Sequence, residues 1–449
     1  MKATIVILMF PERGALNASF QLASQLRSRG HEILYLTNDT YADHVRNQQF
    51  NYRLFDLNNF YDALIQDQKA VKVKHKKIIK KVRQYLSLFR LRNQMLESFL
   101  DKQFEWLNHK KVDLLLLDPI LFNCSLPFLK RCIPIAHLNT TFASYINYHI
   151  PPVFSKLIPS DNLSFTDPII HFAQWVKLYI KTIIKDLLWH AKYGLRPTRT
   201  INTLKGKIKR NGGKYKWGEY GYRLITHELV LASSHLEFCR NLSTLNHTYI
   251  GSSVYLDRKE FESSPPIIKK REKLMYCSLG SYSHIWLKNS KSIFQVIIEA
   301  MRDKPEWDII IQVGDITAFD KADLPQNIQI VKFINQIHVL QQADIAVTHT
   351  GCSSYKECAF TGTPMIIIPW NNDGYGNSAR AVYHKLGMRI NMKALTSENF
   401  KKTLELLMLD ESIRKSVEKK KRKLIAENDC RFGIKYIESV IRKIHNDSI

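Results

Sequence analysis

Residues 343–380 read A-D-I-A-V-T-H-T-G-C-S-S-Y-K-E-C-A-F-T-G-T-P-M-I-I-I-P-W-N-N-D-G-Y-G-N-S-A-R, and the fold is read outward from them. The apolar run 345–347 suits a short buried strand. The turn Thr348-His349-Thr350-Gly351 follows it. The segment 353–360 has helical character, with Ser353 and Ser354 as N-cap residues and Glu357 in the first turns. Gly362 and Pro364 end that helix, and 365–368 forms the next buried strand. A strand, a glycine turn bearing hydroxyls and a helix start together make an anion site. Backbone amides and the positive end of the helix dipole converge there. His349 adds a donor, and Glu357 can accept from a ribose diol. These residue types describe a nucleoside diphosphate seated on a helix N-terminus.

The chain is 449 residues long, more than one hydrophobic core comfortably serves, so two domains are expected. Its hydrophobic content of 45% and aromatic content of 11% exclude a disordered chain. Cysteines 124, 132, 239, 277, 352, 358 and 430 form no C-x-x-C pair and no metal-ligand spacing, which fits reduced thiols in a cytosolic protein. The opening apolar stretch is short for a secretory leader and reads as a first strand. No run approaches 18 uncharged apolar residues, so no membrane-spanning helix is expected. The net charge of +25 is concentrated at 72–92, 205–216 and 419–423. Such clusters either form a solvated surface or meet anionic membranes, anionic substrates or nucleic acid. No zinc-finger, RNP-type or recognition-helix motif accompanies them, so nucleic acid is not expected.

Taken in order, 3–10 is a strand, and the loop Pro11-Glu12-Arg13-Gly14-Ala15 leads into a helix with Phe20, Leu22, Ala23 and Leu26 on one face. Gly30 caps it and 32–37 is the next strand, a βαβ opening with ligands expected at the carboxyl ends of the strands. The run 112–119 reads as a buried strand ending in Asp118. The segment 66–92 is basic and amphipathic, as helices lying on anionic membranes are. A helix over 168–193 carries a broad apolar stripe with Lys177, Lys181 and Lys185 between. It is core, a wall for a lipophilic acceptor, or a membrane-facing surface. After a strand within 228–238, residues 252–271 have linker composition. The second half restarts with strands at 274–278, 307–313 and 328–334, a helix at 293–301 and a turn at Gly280-Ser281.

The fixed spacings in 343–380 resemble the C-terminal signature of the UDP-glycosyltransferase superfamily, of the bacterial macrolide-glycosyltransferase type. His349, Gly351, Ser354, Glu357, Pro364, Pro369, Asp373 and Asn377 fall on its pattern. Ser353 stands where the family has Asn, and Gly374 where it has Gln. The resemblance implies an α/β chain of the GT-B fold, two Rossmann-like doubly wound domains facing a cleft. The implied division is 1–250 as an acceptor-binding domain, 251–272 as linker, 273–430 as the nucleotide-sugar domain and 431–449 as a helix packing back on the first domain. It assigns Gly280, Ser281, His349, Gly351, Ser353 and Ser354 to the diphosphate and Glu357 to ribose. Phe333, with Ile334 and Gln336 beside it, is assigned to the base, and Asp373 and Gly374 to the sugar. Gly374 is expected to leave room for a substituted or different sugar.

The opening also resembles the family through Arg29-Gly30-His31-Glu32-Ile33, but Ala15 stands where the family's catalytic His follows the glycine. Asp118 falls on the partner Asp. Either the acceptor is already ionised, or another group acts as base, with Asp118 and Glu12 nearest, or the protein binds without turnover. The expected activity is an inverting hexosyltransferase using a UDP- or TDP-sugar and a lipophilic small-molecule or lipid acceptor. The alternative is an idle GT-B protein that binds nucleotide or assists a partner enzyme. No metal or other cofactor is expected, because D-x-D is absent and His349, amides and the helix dipole can meet the charge. The implied location is the cytoplasm, peripheral on the inner face of the membrane.

Overall fold

The computed structural model describes the chain apart from residues 1, 56–77, 143–145, 161–164, 194–203, 220, 241–245, 260–266, 268, 281–282, 284–289, 315, 320–323, 372 and 447–449. The first half of the basic stretch 66–92 and much of the linker stretch lie outside the described residues. In the N-terminal half the strands are β1 (Thr4–Leu8), β2 (Glu32–Thr37), β3 (Asn51–Leu54), β4 (Leu114–Leu117), β5 (Ile135–Asn139), β6 (Tyr215–Gly218), β7 (Gly221–Leu224), β8 (Glu228–Val230) and β9 (His247–Tyr249). In the C-terminal half they are β10 (Lys273–Ser278), β11 (Trp307–Gln312), β12 (Ile328–Val331), β13 (Ile345–Thr348), β14 (Met365–Ile367) and β15 (Gly387–Arg389).

Two parallel sheets result. The first has the order β3-β2-β1-β4-β5-β8-β9 and the second β12-β11-β10-β13-β14-β15, while β6 and β7 form a separate antiparallel hairpin. Parallel strands covered by helices on both faces must be apolar throughout. β4 is four leucines, all buried, and β13 is Ile-Ala-Val-Thr, likewise buried. The register Ile5↔Ile33 and Ile5↔Leu114 puts β1 between β2 and β4, and Met275↔Ile345 puts β10 against β13. In each sheet the chain reverses direction of winding beside its first strand, which opens a crevice at the strand carboxyl ends. The two crevices are at Met9–Phe10 with Asp118, and at Leu279–Gly280 with His349.

The last strand of the expected 328–334 segment stops at Val331, so Phe333 stands in the loop beyond it. The C-terminal helix Arg431–Asn446 lies on the first sheet: Ile434, Ile437 and Ile441 belong to the same core as Ile5, Phe20 and Ile250.

The halves are pinned by buried polar groups. Arg380, on helix Gly374–Tyr383, is fully buried and its Nε donates to Glu237 at 2.7 Å. Its guanidinium also faces the rings of Phe142 and Phe238, at 4.9 and 4.6 Å. Tyr249 donates its hydroxyl to the other Glu237 oxygen at 3.0 Å. Removing one partner of a buried pair strands the other's charge, at a cost of about 3–5 kcal/mol. Arg380→Met should therefore lower unfolding free energy by about that amount in a denaturant titration, and adding Glu237→Leu should restore part of it.

Candidate functional site

Both crevices open into one cavity of about 500 Å³. Glu12, Asp118, Gly280, Phe333, Ile334, Gln336, His349, Gly351, Ser353, Ser354, Glu357 and Asp373 all line it. Ser281 lies outside the described residues, and Gly374 is buried beside the cavity without lining it.

The helix Cys352–Thr361 begins one residue earlier than the serines suggest. Gly351 is its N-cap, so Ser353 and Ser354 occupy the first turn, and Gly362 closes it in the left-handed region at φ 80°. The first-turn amides have no acceptor inside a helix. That of Cys352 donates to Asp373 at 3.2 Å, and those of Ser353 and Ser354 stand at the cavity wall. The Ser353 hydroxyl donates across the cleft to the Gly14 carbonyl at 3.1 Å.

The His349 ring is gripped by two glycines. A Cβ at Gly280 would lie 2.7 Å from its Cε1, and one at Gly351 would lie 2.7 Å from its Nε2. Gly280 also sits at φ +95°, where a side chain would be strained. Burial holds the imidazole pKa down at about 4, so the ring is neutral at physiological pH, with one N–H to donate. Its Nδ1 is buried without a hydrogen-bond partner among the described residues.

Glu357 is held from two sides. Arg258 Nη1 donates to one oxygen at 2.7 Å and Gln336 Nε2 to the other at 2.6 Å. Gln336 is itself steadied by the Tyr276 hydroxyl at 3.1 Å. Arg258 escaped the sequence reading because it falls in a stretch of linker composition, yet it is 4% exposed and lines the cavity. Above Phe333, the Arg13 guanidinium lies 4.3 Å from the ring centroid. Arg13 begins helix Arg13–Ser28 of the other half, so the aromatic face is covered from across the cleft.

Three carboxylates line the cavity near one another, Glu12 and Asp118 from the first half and Asp373 beside the helix start. Asp118 caps a short turn, accepting from the amides of Ile120 and Phe10 at 3.0 and 3.2 Å, and burial pushes its pKa up to about 6. Glu12 is raised to about 7, first by burial and then by the charges of Asp373 and Asp118. Burial also raises Asp373, which accepts from Asn377 Nδ2 at 3.0 Å. Ala15 lines the same cavity. Gly374 corrects one expectation. A Cβ there would lie 2.7 Å from the His349 carbonyl, so main chain, not open space, occupies the direction in which its side chain would begin.

Removing a neighbouring negative charge makes the ionised carboxylate cheaper and lowers its pKa. Carbon-13 shifts of the Glu12 carboxyl should titrate near 7, and Asp118→Asn should move the midpoint down while leaving it above the ordinary glutamate value of 4.5, since burial remains.

Residues 299–430 match the family model described as "Erythromycin biosynthesis protein CIII-like, C-terminal domain". The oleandomycin glycosyltransferase of Streptomyces antibioticus is 25% identical over 175 residues, 39% of this chain and 40% of that one. The chain spans less than half the length of such curated relatives, 40% of that protein and 48% of NDP-glycosyltransferase YjiC of Bacillus subtilis. The crystal structure of the glycotransferase of kitacinnamycin superposes with a TM-score of 0.64 at 18% identity, covering 98% of this chain and 99% of that one. Glycosyltransferase VinC in complex with DTDP gives a TM-score of 0.62 at 14% identity, covering 98% and 100%. Such whole-length superposition establishes the GT-B fold.

Proposed function

We propose that this chain, a member of the bacterial macrolide-type UDP-glycosyltransferase family, is an inverting glycosyltransferase that moves a hexose from a UDP- or TDP-sugar to a lipophilic small-molecule or lipid acceptor. The observation that carries the reading is the arrangement of a neutral imidazole, a helix start and an anchored carboxylate facing a second carboxylate group across one cavity.

In this reading the diphosphate rests on the amides of Ser353 and Ser354, with His349 donating from its ring. Ribose hydroxyls donate to Glu357, whose orientation Arg258 and Gln336 fix. The base stacks on Phe333 beside Ile334 once Arg13 swings aside. Asp373 accepts from sugar hydroxyls. Glu12, with a pKa near working pH, is the base that replaces the imidazole missing at Ala15. The acceptor hydroxyl gives its proton to Glu12 as its oxygen bonds to the anomeric carbon from the face opposite the diphosphate. The carbon–oxygen bond to the diphosphate breaks, and the nucleoside diphosphate leaves with the electron pair. Helix amides and His349 meet that charge, and in this reading no metal takes part, so chelators leave the rate unchanged.

Binding to the native state raises the melting temperature. UDP or TDP should therefore stabilise the protein, and Glu357→Gln, which weakens charge-assisted bonds, should reduce donor affinity roughly tenfold or more. His349→Ala should lower kcat by about 10²–10³, as loss of a donor to developing charge does. Glu12→Gln should lower kcat by about 10²–10⁴ and abolish the acid limb of kcat/KM, whose midpoint lies near 7 because only ionised Glu12 accepts the proton. Nucleotide binding with kcat untouched by Glu12→Gln would move the base elsewhere. Nucleotide binding with no donor turnover, with or without acceptor, would identify an idle binding protein.

A further inference from the structure

Among the described residues, helix Asp167–Tyr193 is held to the protein through His171 and Trp175. On its inner side Trp175 is 1% exposed and donates from Nε1 to the Ile150 carbonyl at 3.3 Å, and His171 Nδ1 lies 3.0 Å from the Tyr148 carbonyl. Turned away from these contacts, Ile169, Val176, Ile180, Ile184 and Leu187 recur at helical spacing and are 40–65% exposed, and Phe172, at their inner margin, lies against the Tyr148 ring with centroids 5.4 Å apart. That stripe extends roughly 27 Å at 1.5 Å per residue. Soluble proteins rarely leave so continuous an apolar strip bare without a use for it. Beside it Lys177, Lys181 and Lys185, each four residues on, are exposed along one flank. Among the described side chains of this helix the one carboxylate, Asp167, is buried and accepts from the Ser160 hydroxyl.

We infer that this outer face docks the protein on an anionic lipid bilayer, with the apolar stripe entering the acyl boundary and the three lysines meeting phosphate headgroups. Charge complementarity selects this occupant: a row of exposed ammonium groups, on a chain of net charge +25, suits a negative surface, and apolar stripe plus cationic flank is the pattern of interfacial helices. The inference rests on the proposed lipophilic acceptor and gives it a route. The inner side of the helix holds the Tyr148 and Ile150 carbonyls, and three residues on from Ile150 the Val153 carbonyl accepts from the Gly376 amide at 2.8 Å, three residues from Asp373. A docked helix therefore sets the sugar end of the cavity close to the lipid surface.

The test is co-sedimentation of the full chain with vesicles of phosphatidylcholine alone and of phosphatidylcholine mixed with phosphatidylglycerol. Binding should require the anionic lipid and weaken as salt is raised. Replacing Lys177, Lys181 and Lys185 by Gln should lower affinity roughly fivefold per lysine. Ile180→Glu with Ile184→Glu should abolish binding, while the stabilisation by UDP or TDP persists and certifies the fold. Equal binding to both vesicle types, or full binding by the Ile180→Glu, Ile184→Glu variant, overturns the inference. So does a dimer in solution that this variant disperses, since a second copy then covers the face. Vesicle binding without any nucleotide stabilisation would sink the donor reading and leave the surface standing.

Discussion

Lys356 is 2% exposed, and its ammonium ties a helix that begins at the cavity to the first half of the chain. It donates to the Leu231 carbonyl there and, at 3.5 Å, to that of Ser253 in the connecting segment. One residue earlier the Tyr355 hydroxyl reaches the Leu236 carbonyl at 3.2 Å, and Ser353 reaches Gly14. Burying an amine costs several kcal/mol unless carbonyls replace its water. The sequence accepts that cost on a helix whose N-terminus faces the cavity. The end proposed to hold the diphosphate and the clamp between the halves are therefore the same rigid object, and the spacing between the two walls cannot drift independently of it.

This placement also explains the carboxylate chemistry. A carboxyl group reaches a near-neutral pKa through burial and through like charges nearby, and for Glu12 both contribute. Glu12 comes from the first half and Asp373 from the second, so its raised pKa is a property of the assembled cleft. An ordinary carboxylate in a loop would be a poor base, and Ala15 would read as a lesion. In the proposed reading Glu12, three residues upstream inside this enclosure, takes the place of the imidazole that Ala15 lacks.

Much of this was legible in the chain. The alternation of apolar runs with glycine turns and amphipathic helices gives the two parallel sheets, since strands buried on both faces leave little else to read. Fixed offsets from His349 locate the donor wall for the same reason: helix geometry makes residue number a spatial coordinate there. The contacts that join distant segments were not legible. Arg258 sits among residues with the composition of a linker, and nothing local announces that its guanidinium ends on Glu357. Arg13 on Phe333, and the direction blocked at Gly374, likewise depend on chain segments far away in number. Phe333 falls within the apolar run 328–334 that reads as a strand, whereas the hydrogen-bonded ladder stops at Val331.

The guanidinium resting on Phe333 is planar, of nearly the size of a pyrimidine, and stacks by the same forces. In the proposed reading that guanidinium occupies the place of the nucleobase. Exchanging one flat guest for another would change little in stacking energy, so the ring would offer grip without much choice between bases. Preference for one nucleotide over another would then arise at the rim of the base, in the residues along that rim and not in the aromatic platform.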